Sequence, residues 1–110
     1  MQMSEMEKAT ENYITAIQKT EQFRNYCDIK AKVKQDEELW GQLCEYRKKR
    51  YEFQNLTSPE ELFDRVEAFE REYGNWKKNP EVSAFLDAEL AFCRMIQESN
   101  LRIMDVIQFE

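Results

Sequence analysis

Cys27, Cys44 and Cys93 are the residues of this chain best suited by type to metal or redox chemistry. A zinc or iron–sulfur site needs about four thiolate or imidazole ligands converging, two of them commonly from a short C-x-x-C step. Here each cysteine falls on a different predicted helix, and the sequence has no histidine to complete a set. Cys93 lies in an apolar row, where a thiol behaves as a small hydrophobe. An odd number leaves at least one thiol unpaired in a monomer, and the spacing matches no disulfide scaffold. The reading is a reduced, cytoplasmic protein with no assigned metal, cofactor or catalytic residue. Kept beside it is a subunit that shares cysteine ligands for a metal or an iron–sulfur cluster across a complex.

The lack of histidine also removes the commonest general base and the physiological-pH switch. With Gly41 and Gly74 as the two glycines, no Gly-rich phosphate loop can be written. Glu89 falls between Phe85 and Phe92 on an apolar helix, where burial would raise a carboxyl pKa. Catalysis would need a second titrating group and a pocket, which the sequence does not place. The run Arg47-Lys48-Lys49-Arg50 is the strongest basic patch, a candidate contact for RNA phosphates or an acidic partner. Four consecutive helical residues point in every direction, and Glu45 and Glu52 flank them, so a solvated face is the plainer reading. Lys and Arg total 16 against 22 Asp and Glu, a formal charge of -6. Direct nucleic-acid binding is therefore not expected, and an RNA-binding accessory role is kept as an alternative.

The elements that must position these groups are helices. The 110 residues are 42% hydrophobic and 35% charged, enough apolar content for one small domain, residues 1–110. Two glycines, two prolines and few β-branched residues favour helix nearly everywhere. Ser58-Pro59-Glu60-Glu61 is a capping box with proline at the first helical position. Asn79-Pro80-Glu81 repeats that logic and closes the helix before it. Asp36, Ser4 and Thr20 are weaker starts. Helices are expected at roughly 4–18, 20–34, 37–55, 59–77 and 80–107. Met1 to Thr10 is polar, without the apolar stretch of a signal peptide, and no run approaches a membrane span.

The fourth predicted helix carries one stripe, Leu62, Val66, Phe69, Tyr73 and Trp76, able to pack on another helix. The fifth carries two neighbouring apolar rows, one with Phe85, Phe92, Ile96 and Ile103. At 1.5 Å per residue it would be about 40 Å long, against about 34 Å for a compact globule of this size. The fold class expected is all-α, an elongated bundle of about five helices with a long C-terminal helix, forming a symmetric dimer. Candidate association residues are Phe85, Phe92, Ile96 and Ile103 from the broad face, with Trp40, Phe63 and Phe109 off the main stripes.

Thr20-Glu21-Gln22-Phe23-Arg24-Asn25-Tyr26, Asp36-Glu37-Glu38-Leu39, and Asn79-Pro80-Glu81-Val82 leading to Asp87-Ala88-Glu89 and Ile96 resemble the YlbF/YmcA family of bacterial control-of-competence regulators. The resemblance covers roughly residues 9–107. It implies an all-α homodimer with no known catalytic activity. It also implies partners among paralogous helical proteins and RNA-processing machinery, in complexes that influence competence, sporulation, biofilm formation and RNA processing. Some such complexes carry iron–sulfur clusters with ligands in C-terminal tails. This sequence is read as ending straight after its last helix, so no ligand role is carried to its cysteines. The functional expectation is a non-enzymatic cytoplasmic regulator or scaffold acting through homo- and hetero-association of helices.

Overall fold

The computed structural model describes residues 2–53, 55 and 58–107. Five α-helices follow one another: α1 Glu5–Gln18, α2 Glu21–Lys34, α3 Glu37–Phe53, α4 Pro59–Tyr73 and α5 Pro80–Ile107, with a 3-10 turn at Trp76–Lys78 before the last. No strand occurs among the described residues. The protein is all-α, as expected.

Local chemistry explains where most of these helices begin. The first backbone N–H groups of a helix have no partner within it, and a short polar side chain ahead of them supplies one. The Ser4 hydroxyl accepts from the Glu7 N–H at 3.1 Å and Thr20 from Phe23 at 3.2 Å. Asp36 accepts from Leu39 at 3.1 Å, and Ser58 from Glu61 at a longer 3.4 Å, ahead of Pro59 at the start of α4. The Asn79 side chain accepts from Glu81 at 2.9 Å, opening α5.

The fourth helix differs from expectation. It ends at Tyr73, four residues early, and Trp76 sits in the 3-10 turn rather than on the helical stripe. Gly74 caps the helix, its N–H donating to the Glu70 carbonyl at 2.8 Å. Gly and Asn at positions 74 and 75 weaken the helix. Leaving it there frees the Trp76 indole to fold back onto α3, where its Nε1 donates to Gln42 Oε1 at 2.9 Å.

The chain divides into two compact units, one of Met1–Ile29 with Asp87–Glu110, the other of Lys30–Leu86; α2 and α5 contribute to both. The second unit holds most of the buried apolar core: Val33, Leu39, Leu43, Tyr46, Phe69, Tyr73, Val82 and Phe85. Tyr46 is the centre of an aromatic cluster, with ring centroids 5.0 Å from Phe69, 5.2 Å from Tyr73 and 5.3 Å from Trp76. Phe53 meets Phe69 edge-on at 4.8 Å. Such offset and edge contacts suit the ring quadrupoles and add to the burial of their area. Leu62 and Val66, at the start of the α4 stripe, remain exposed.

The first unit is built differently. Phe92 of α5 stacks on Tyr26 at 5.4 Å with rings 8° apart, and tilts against Phe23 at 5.6 Å. Its buried residues among those described are Ala88 and Glu89. No residue of α1 is buried.

Candidate functional site

The basic run lies on α3, and most of it turns back on its own unit. The Arg47 guanidinium carbon is 5.5 Å from the Phe85 ring centroid and that of Arg50 is 5.4 Å from Tyr46. Lys49 Nζ bonds Glu72 Oε1 at 2.9 Å, lies 3.7 Å from Glu45 and sits over Tyr73. The hydrogen bond to Glu72, then that to Tyr73, holds the Lys49 pKa well above the ordinary lysine value. Lys48 is exposed. These cations cover aromatic rings and answer nearby carboxylates, so the four do not form one outward basic face.

Lys77 plays a similar part in the same cluster. Its ammonium pairs with Glu70 at 3.1 Å and lies over both Tyr46 and Phe69. Partial burial pulls its pKa down, but the hydrogen bonds to Glu70 and Tyr46 outweigh that and leave it raised. Sequence reasoning missed this lysine, because its ring contacts depend on where the helix stops.

The expected association residues separate into distinct groups. Phe85 is fully buried in the second unit, so it belongs to the core and is no surface residue. Trp40 is half-buried, meets Phe85 edge-on at 6.1 Å and carries Lys34 over its ring. Phe92 and Ile96 are half-buried in the first unit. Phe63 of α4 is 69% exposed and Ile103 of α5 is 44% exposed. Phe109 lies outside the described residues.

The first unit carries the larger uncovered apolar surface. Met3, Met6, Tyr13 and Ile14 from the α1 region are exposed, as are Leu90, Leu101, Ile103, Met104, Val106 and Ile107 of α5. Among the described residues, those large apolar ones exposed in the second unit are Tyr51, Leu62, Phe63 and Val66. An open groove of about 430 Å³ is lined by Tyr13, Ser99, Arg102, Ile103, Val106 and Ile107, with mostly apolar walls. Val106 is 74% exposed although it faces the same side of α5 as buried Ala88. Direction around the helix is thus the same, but cover is absent near its end.

Cys27 is half-buried, whereas Cys44 and Cys93 are exposed, Cys93 despite its apolar row. Among the described residues no three Cys, Asp or Glu side chains gather where a metal ion could be held. Glu89 is buried, and no side-chain polar atom buried among the described residues lacks a hydrogen bond. No described helix is long and apolar enough to cross a membrane.

The family described as "Control of competence regulator ComK, YlbF/YmcA" matches residues 6–108. A "UPF0342 protein" of Caldicellulosiruptor bescii is 26% identical over 98 residues, covering 87% of this chain and 82% of the relative. No solved structure matches.

Proposed function

We propose that this chain, which belongs to the YlbF/YmcA family, is a cytoplasmic regulator that acts without catalysis, through association of its α1 and α5 surfaces with a second copy and with related helical proteins. The observation that carries this reading is the composition of the first unit. Ten large apolar residues are exposed there, while Ala88 and Glu89 are its buried ones among those described. Apolar side chains gain roughly 25 cal/mol for each Å² removed from water, so a partner that covers these residues is favoured. An isolated helix as short as α1, 14 residues, is marginal in water and gains its stability from packing. A partner that covers α1 and the end of α5 supplies that packing.

Light scattering coupled to size exclusion, over a concentration series, tests the reading. The expected species has twice the chain mass, and Met104→Glu with Ile107→Glu, at exposed positions of α5, converts it to monomer without loss of helical circular dichroism. A protein that stays monomeric at high concentration, and does not bind its family relatives when mixed with them, overturns it.

A further inference from the structure

The order of residues along the exposed side of α5 specifies how a second copy lies on it. We propose that α5 pairs antiparallel with α5 of a second copy, with Leu90 against Ile107, Cys93 against Met104 and Gln97 against Asn100. This deepens the association reading above and rests on it.

Leu90, Cys93, Gln97, Asn100, Met104 and Ile107 recur at alternating steps of three and four, so they form one narrow seam. All six are exposed. The seam spans about 25 Å at 1.5 Å per residue. It is apolar at both ends and amide-bearing in the middle. Reversing one copy about an axis between Gln97 and Asn100 therefore matches apolar with apolar and amide with amide. Sliding the copies along the seam sets an amide against Met104 or Leu90 and leaves its polar atoms short of partners, which disfavours the slipped registers. Polar residues at such positions are a known means of choosing one register among several.

The charges beside the seam carry the same symmetry independently. Arg94 and Asp105, of opposite charge, lie on the same flank, each about a quarter-turn or slightly more around the helix from the centre of the seam. An antiparallel two-fold brings the same flank of both helices together, whereas a parallel pair joins opposite flanks. In the antiparallel register Arg94 comes beside Asp105 of the second copy, within about 3 Å along the axis. None of the ion pairs described above engages Arg94 or Asp105. A second copy thus fits both the apolar seam and its charged border.

Cysteine cross-linking reads the register directly. In full-length protein with Cys27→Ser and Cys44→Ser, Cys93 is the remaining thiol. Adding Met104→Cys, at an exposed position, places a thiol opposite Cys93 of the second copy. The two positions are about 16 Å apart along one helix, too far for a short bridge within one chain. A short bis-maleimide is expected to give covalent dimer at least ten-fold more efficiently with Met104→Cys than with Cys93 alone, while circular dichroism is unchanged. Dimer by light scattering with no gain from Met104→Cys, or with efficient linkage through Cys93 alone as parallel pairing requires, overturns the register and leaves association standing. Monomer throughout overturns both. Arg94→Glu is expected to weaken the dimer and Asp105→Arg to restore it in the double variant; losses that simply add count against the register.

Discussion

Trp76 and Tyr46 meet with ring centroids 5.3 Å apart, although one belongs to a 3-10 turn and the other to the middle of α3. The contact ties the end of α4 to α3 at the point where Phe69 and Tyr73 also pack on Tyr46. Tyr46 is buried and is shared by three aromatic neighbours, so its removal leaves a cavity that none of them can fill alone. Tyr46→Ala is expected to cost about 3–5 kcal/mol, the range for truncating large core aromatics. Gln42→Ala, which removes only the acceptor for the Trp76 indole, should cost about 0.5–1.5 kcal/mol. Urea denaturation of both variants checks the contrast; equal losses would mean that the cluster is not centred on Tyr46.

Gly74 makes a second, sharper test of that junction. A Cβ added there would lie 2.6 Å from the Glu70 carbonyl oxygen, a backbone atom that cannot turn aside. Gly→Ala inside an ordinary helix stabilises by removing freedom from the unfolded chain, but here the folded backbone must shift. Gly74→Ala is therefore expected to destabilise, by about 1–3 kcal/mol. At Gly41 nothing lies within 4 Å of the added Cβ, so Gly41→Ala should stabilise by about 0.4–1 kcal/mol. Opposite signs in the two denaturation midpoints are the expected result, and a stabilised Gly74→Ala would contradict it.

How much of this was legible in the residues depends on how local the cause is. Asp36, Ser58 and Asn79 cap helices through hydrogen bonds within three residues, and the chain order alone displays them. The span expected for the last helix, 80–107, is the one observed. The end of α4 was not legible, because stopping at Gly74 is favoured by Trp76 packing on Tyr46, some thirty residues away in sequence. Phe85 and Ile103 share an apolar row, yet one is fully buried and the other exposed. Periodicity reports which way a side chain points and not how far its cover extends. The same gap hid the ring contacts of Arg47 and Lys49, which depend on rings brought from α5 and α4.

Lys49 gives the fold a pH dependence with a definite sign. Its pKa is raised in the folded state, first by the hydrogen bond to Glu72 and then by that to Tyr73. A cation held in this way stabilises fully below its unfolded pKa, about 10.5, and the contribution is lost as pH rises through the higher folded value. Comparing wild type with Lys49→Met, which keeps much of the apolar stem, isolates the charge. The wild-type advantage in denaturation midpoint should stay level from pH 7 to about pH 10 and then fall. A difference that already shrinks between pH 7 and pH 9 would show that the ammonium is not the source. High salt should reduce the advantage at neutral pH, because the pair is partly open to solvent.

Two residues of α5 separate folding from association within the first unit. Phe92 is half-buried, stacked on Tyr26 and tilted on Phe23. A carboxylate in its place loses both ring contacts and is driven toward the Phe23 and Tyr26 rings. Phe92→Asp should therefore cost about 3–5 kcal/mol, the range for deleting a core aromatic, and lower the helical signal on mild heating. Leu101 is 65% exposed beside the α5 seam, so the same carboxylate there meets water in the single chain. Leu101→Asp should keep near-wild-type helical content at concentrations where the protein is monomeric and raise the concentration needed for the dimer at least ten-fold. Circular dichroism and light scattering on the same samples distinguish the two. If Leu101→Asp unfolds the protein as readily as Phe92→Asp, the end of α5 is packed within its own chain. If it instead leaves the dimer untouched, association uses a surface other than this stretch of α5.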